Sequence, residues 1–392
     1  MDLFKKCWAY TAVREAKAAG IYPYFHELMS KQDSVVMMEG RRVIMAGSNN
    51  YLGLTSHPEV IGAAVRAAEQ FGSGVSGSRF LNGTLSLHRE LERELAAFLG
   101  KEDALTFSTG FQANLGIISA IVGRHDVILC DKENHASIYD GCRLSLADMA
   151  RYRHTDMEDL EAHLKDIPDS KGRLIVTDGV FSMRGDICNL PEIARLAKHY
   201  GARVMVDDAH GLGVLGQTGR GTAEHFGLEG EVDISMGTFS KSLASLGGFM
   251  AGQAEVVDFV RHTSRPFIFC AAVPPSNAAA ALAALRILRR EPERLTALLG
   301  IADYVRAGLK ARGIAIRDSA TPIIPIHTGE VERTIRTCCE LFRRGVYVNP
   351  VVPPATPPGE CLIRISCTAA HTEPLMDEAM DIIHEVLRGP CV

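Results

Sequence analysis

The chain has 392 residues, 46% apolar and 23% charged, with a formal net charge of −5. That is material for one large domain and a smaller one, and charges of both signs with a slight acidic excess imply no basic face for nucleic acid. The richest apolar stretch, 271–285, is broken by two prolines, a serine and an asparagine, which excludes a membrane span.

In chain order, MDLFKKCWAY opens without an apolar signal segment, which points to a cytoplasmic protein. Periodicity predicts helices over 58–71 and 86–99, bracketing a glycine-rich loop. From 103 to 251, short apolar runs (104–107, 127–130, 173–177, 203–206, 234–236, 248–251) alternate with amphipathic stretches (114–122, 157–164, 190–199). This is the pattern of an α/β domain with helices covering a large, mostly parallel sheet. Helices follow over 277–290 and 295–312, and then a mixture of strands and helices at 323–327, 332–344, 346–349, 361–367 and 375–387, a smaller α+β C-terminal domain. The expected division is 46–280 for the large domain and 281–392 for the small one, with segment 1–45 packing with the latter. Ten cysteines are scattered, Cys338 beside Cys339, without a Cys-x-x-Cys. They read as buried small hydrophobes in a reducing compartment, and no metal is called for.

The loop GSGVSG at 72–77 satisfies a dinucleotide-binding expression but fails its context, because a helix precedes it and no acid closes a following strand. Its glycines and Arg79 are expected to form a flexible wall over a substrate or a subunit contact. The stronger signal is an ordered set: TGFQAN at 109–114, His135, DDAH at 207–210 and TFSK at 238–241. Each falls just after an apolar strand run, so the sheet brings them to one rim.

Lys241 can form a Schiff base with a cofactor aldehyde and then shuttle protons. Thr238 and Ser240 flank it with hydroxyls suited to a phosphate, which a chance surface lysine would not need. Asp207 ends an apolar run, where a carboxylate is costly to bury without a partner. A pyridinium nitrogen is such a partner, a metal or purely structural role the alternative. His210 can reach a phenolic oxygen of the cofactor or cap local structure, and His135 can lie over a pyridine ring or sit on the surface. Gly110 and Phe111 open a helix whose free N–H groups favour a phosphate. Ser182 lies past another strand end and can share the phenolic oxygen.

These stretches, with NYLG at 50–53, GSR at 77–79, NHAS at 134–137, DGVFSM at 178–183, GTFSK at 237–241 and SRP at 264–266, resemble the alpha-oxoamine synthases of the fold-type I pyridoxal-phosphate enzymes, over roughly residues 20 to 388. The resemblance implies a large, mostly parallel seven-stranded sheet domain with a smaller α+β domain, pyridoxal 5′-phosphate as cofactor, and a homodimer with its active site at the subunit interface. It implies that Lys241 carries the cofactor, His135 stacks on it, Asp207 meets its ring nitrogen, and His210 and Ser182 meet its phenolic oxygen. Gly110, Phe111, Thr238 and Ser240 serve the phosphate; Arg364 pairs with the amino-acid carboxylate, and Asn50 lies near the substrate. Family members condense a small amino acid with an acyl thioester and lose carbon dioxide. Segments 72–84, 134–142, 264–269 and 347–357 are most similar to bacterial members using L-serine and a long-chain acyl-CoA, with glycine or L-alanine and another thioester as the alternative. Such members carry an arginine just before the PPATP loop, and here the residue is Val352. An aminotransferase would need only Lys241 and Asp207, and a non-enzymatic subunit would have lost Lys241. Peripheral membrane contact during lipid transfer stays open.

Overall fold

The computed structural model describes residues 2–317 and 319–389. The chain divides into two compact units, Asn49–Leu299 with Ala320–Pro322, and Met1–Ser48 with Gly300–Ser319 and Ile323–Val392.

In the first unit seven strands form one sheet: β1 (Asp103–Phe107), β2 (Asp126–Asp131), β3 (Asp148–Tyr152), β4 (Gly172–Asp178), β5 (Arg203–Asp207), β6 (Ile234–Thr238) and β7 (Gly248–Gly252), in the order β1-β7-β6-β5-β4-β2-β3. Strands β6, β5, β4, β2 and β3 pair in parallel, and β7 is inserted antiparallel to both β6 and β1. The expected mostly parallel sheet is therefore present. Period-two alternation sorts each strand between two cores. Ile128, Cys130, Leu174, Val176 and Met205 pack on one face, and Leu129, Ile175, Val204 and Val206 on the other. Each such side chain contributes about 1.5–3 kcal/mol when fully buried, which is why these strands read as continuous apolar runs.

Strand β3 escaped the sequence reading for the opposite reason. It is the sheet edge, sequence DMARY, and only Tyr152 of its five residues is buried. The helices Pro58–Phe71 and Ser86–Leu99 match their expected bounds, and the loop at 72–77 joins helix to helix. Arg79 corrects an expectation. Its side chain is only 5% exposed and pairs with Glu92 at 2.7 and 3.1 Å, so it is an internal tie, not a wall over a substrate.

In the second unit an antiparallel sheet, Ile323–Gly329, Cys361–Ser366 and Asn349–Val351, packs against the helices Val331–Arg343 and Glu373–Arg388 around Ile324, Ile363, Ile365, Leu341 and Met380. A hairpin, Val35–Met38 and Arg41–Met45, turns through Glu39 and Gly40 at φ 49° and 76°, both in the left-handed region that such two-residue turns need. Its second strand pairs in parallel with Val346–Tyr347. Seven of the nine described cysteines are buried and all are unpaired thiols, with Cys7 exposed and Cys270 partly so. Among the described residues no helix is long and apolar enough to cross a membrane.

Candidate active site

Register decides which side chains meet at the carboxyl edge of the large sheet. Asp178, Asp207 and Met236 are level across β4, β5 and β6, so two carboxylates lie side by side where open α/β sheets place ligands. A cavity of about 270 Å³ opens there, and Lys241, His135, Asp207, Gly110, Phe111, Ser182, His210, Thr238 and Ser240 all line it.

One end is built for an anion. The Thr109 hydroxyl caps the helix Gly110–Ile121 by accepting the Gln112 N–H at 3.1 Å, which leaves the first-turn N–H groups of Gly110 and Phe111 without a partner inside the helix. Glycine is needed at 110, because a Cβ would lie 2.8 Å from Thr238 Oγ1. The Thr238 hydroxyl donates to the Gly247 carbonyl at 2.9 Å and lies 2.9 Å from Ser240 Oγ. Helix N–H groups and hydroxyls thus converge on one spot, an arrangement that favours phosphate.

The Asp207 carboxylate, 3% exposed, is held at both oxygens. Oδ2 accepts from Asn114 Nδ2 at 2.7 Å, and Oδ1 from the Ala209 N–H at 2.9 Å. Asn114 Nδ2 also donates to Ser137 Oγ at 2.8 Å, and Ser137 Oγ lies 2.7 Å from His135 Nδ1. Because Ser137 N–H also points at Nδ1, at 3.3 Å, Nδ1 is assigned as an acceptor and the imidazole proton goes to Nε2.

His135 opens to the cavity, yet desolvation by the surrounding walls lowers its pKa; Lys241 adds to this and Asp207 opposes it. The imidazole is therefore neutral near pH 7. Asp178 accepts the His135 backbone N–H at 2.7 Å, and burial, with Asp207 beside it, pushes its carboxyl well above the usual range. His210 Nδ1 lies 2.7 Å from the hydroxyl of the fully buried Tyr51.

Sequence reasoning missed Asn114, Ser137, Asp178 and Ala209 as cavity residues and Tyr51 as the neighbour of His210. All five lay inside motifs already singled out, but nothing local marked them. Asn50 is not among the lining residues. Its Oδ1 accepts from the N–H groups of Leu54 and Thr55 at 3.0 and 3.3 Å. Arg364 belongs to the second unit, buried on the strand Cys361–Ser366 opposite Pro325 and Asn349. Val352, in the same unit, lines an apolar hollow of about 620 Å³ with Tyr10, Tyr24, Ile335 and Pro353.

A cavity with an anion-binding end, a fixed carboxylate and a lysine is chemically suited to a ligand that carries a phosphate, a protonated ring nitrogen and an aldehyde. The donors present fit pyridoxal phosphate. The profile of the aminotransferase class I and II family matches residues 41–383. A serine palmitoyltransferase of Sphingobacterium spiritivorum is 50% identical over 379 residues, 97% of this chain and 95% of the relative. An 8-amino-7-oxononanoate synthase of Thermoanaerobacter pseudethanolicus is 44% identical over 375 residues, 95% of each chain. A variant serine palmitoyltransferase from S. paucimobilis, solved with a bound PLP–myriocin aldimine, superposes with a TM-score of 0.96 at 37% identity, covering 99% of both chains. With the expected motifs gathered on this sheet edge and the likeness running through nearly its whole length, the chain belongs to the class I and II aminotransferase family, on its alpha-oxoamine synthase branch.

Proposed function

We propose that this chain uses pyridoxal phosphate to condense L-serine with a long-chain acyl-CoA, palmitoyl-CoA, releasing CoA and carbon dioxide and forming 3-ketodihydrosphingosine. The observation that carries this reading is the 50% identity to a serine palmitoyltransferase along 97% of the chain.

The cofactor, when bound, supplies an electron sink for charge developing at the amino-acid α carbon. Lys241 would attach it and, at Nζ, take up and return the α proton. Asp207, fixed by Asn114 and Ala209, keeps a proton on the ring nitrogen. His135 would lie against the ring with its Nε2–H free for the substrate carboxylate, and its lowered pKa keeps it neutral. Gly110, Phe111, Thr238 and Ser240 hold the phosphate; His210, oriented by Tyr51, and Ser182 hold the phenolic oxygen. By the family resemblance, Arg364 is assigned the amino-acid carboxylate and Asn50 the neighbourhood of the substrate. The acyl thioester enters as second substrate, and its thiol leaves as CoA.

A homodimer in the cytoplasm is part of this proposal. Leu81 and Phe269, each 77% exposed, are apolar surface that a second copy would cover. Val352, where an arginine is expected, favours a second reading in which L-alanine or glycine replaces serine. Titrating the holoenzyme spectrum with the three amino acids, then assaying products with C8 to C18 acyl-CoA, separates the two. A spectral shift with serine and carbon dioxide release with palmitoyl-CoA support the first reading, whereas silence with serine and a response to alanine or glycine replaces it.

A further inference from the structure

In the second unit the last turns of the helix Glu293–Ala311, from Gly300 on, run into a loop whose Ile316 bridges to Ile326 on the strand Ile323–Gly329. The helices Val331–Arg343 and Glu373–Arg388 complete a hollow of about 430 Å³. Its chemistry is sharply divided. Ile314, Ile316, Ile326 and Leu387 supply an apolar floor, while Arg312, Arg317, Arg333 and Arg388 stand around it with His327 and His384. The described lining contains no carboxylate. Arg312 is neutralised by Asp381 at 2.8 Å and Asp377 at 3.3 Å. Among the described residues, Arg317, Arg333 and Arg388 enter no ion pair. Three uncompensated guanidinium groups around one concavity, on a chain whose net charge is −5, make a local positive field against the overall sign.

We infer that this hollow binds a phosphate-bearing small molecule with an apolar or planar body, of the nucleoside diphosphate class. Guanidinium groups pair with phosphate through two parallel N–H donors, and several of them suit a diphosphate better than a single carboxylate. The volume lies within the range of small-molecule sites, roughly 300–1,000 Å³. An isoleucine and leucine floor gives a nucleobase something to rest on that inorganic phosphate does not use. The hollow shares no lining residue with the Lys241 cavity. The same chemistry has two sources, a free nucleotide or the nucleotide end of coenzyme A.

The test is calorimetric titration of the full-length holoenzyme, in phosphate-free buffer at low and at about 200 mM salt, with ADP, pyrophosphate and coenzyme A as separate probes. ADP is expected to bind, more tightly than pyrophosphate and more weakly at high salt. The double change Arg333→Glu with Arg388→Glu should weaken ADP at least about tenfold. Loss of coenzyme A binding in parallel assigns the site to the nucleotide end of a CoA compound, and unchanged coenzyme A binding assigns it to a free nucleotide. No heat with ADP up to about 1 mM, or ADP binding that the double change leaves intact, overturns the inference. Both arginines are exposed, and thermal unfolding checks the fold. If the reversed charges unfold the chain, Arg333→Gln with Arg388→Gln decides in their place.

Discussion

The Asn114 amide donates to Asp207 Oδ2 at 2.7 Å and to Ser137 Oγ at 2.8 Å, so a single side chain sets both the carboxylate and, through Ser137, the tautomer of His135. Asn114→Ala removes both donors without touching the residues they hold. A hydrogen bond to a charged group is worth about 1.5–3 kcal/mol, so kcat/KM for the amino acid should fall roughly 10- to 100-fold. The holoenzyme spectrum should also change its pH dependence, because Asp207, the partner of the ring-nitrogen proton, is then held at Oδ1 alone by the Ala209 N–H. Asn114→Ala with wild-type kinetics and an unaltered spectral pH titration would remove Asn114 from the site's support. Asp207→Asn should cost more than Asn114→Ala in the same assay.

Lys241 is assigned both cofactor attachment and proton transfer, and the two can be separated. Lys241→Ala should still take up pyridoxal phosphate, since the phosphate end and Asp207 remain. Borohydride should no longer fix the cofactor to the chain, as read by mass spectrometry, and turnover should fall by about 10²–10⁴-fold. Retained covalent labelling at another lysine would reassign the role.

Legibility followed burial. Strands such as β4 and β5 were readable because both faces are covered and the run is continuously apolar, while the edge strand β3 left only Tyr152 as a trace. Gly110, His135, Asp207 and Lys241 were readable because each sits at or just past a strand end. Asn114 was not, because its role depends on a contact with Asp207, 93 residues away, that only the packing of the helix Gly110–Ile121 on the sheet creates. Tyr51 and His210, 159 residues apart, likewise meet only in the folded chain. Arg79 was misread because a lone arginine beside glycines gives no hint of a buried carboxylate waiting in the next helix.

His154 gives a pH signature outside the cavity. Burial disfavours its charge, but hydrogen bonds to Asp131 at 2.9 Å and Asp186 at 3.4 Å outweigh that, and its pKa is raised to about 9. A histidine pKa raised above the unfolded value of about 6.5 contributes stability that is complete below that pH and is lost as pH climbs through 9. The contribution is at most about 3 kcal/mol. Thermal unfolding of wild type and His154→Gln should differ most at about pH 6 and converge above about pH 9.5. Asp208, whose buried carboxyl is pushed up to about 7 by desolvation, also lowers stability as pH rises, but it is common to both proteins and drops out of the difference. A constant gap across the range would mean that His154 acts by packing against Phe181 and not by charge.

Arg79 and Glu92 test what a buried pair is worth. Removing one partner of such a pair strands the other and typically costs about 3–5 kcal/mol. Glu92 here keeps Arg89 at 3.0 Å and the Thr106 N–H at 3.0 Å, and Arg89 is half-exposed, so Arg79→Ala should fall at the low end, about 3 kcal/mol in urea unfolding. Replacing both, Arg79→Met with Glu92→Leu, should recover most of the loss, since no charge is then left in the interior. If the double change is as unstable as the single one, the pair is needed for the shape of the 79–84 loop, where Arg79 also meets Thr84 at 3.2 Å, and not only for neutralising Glu92.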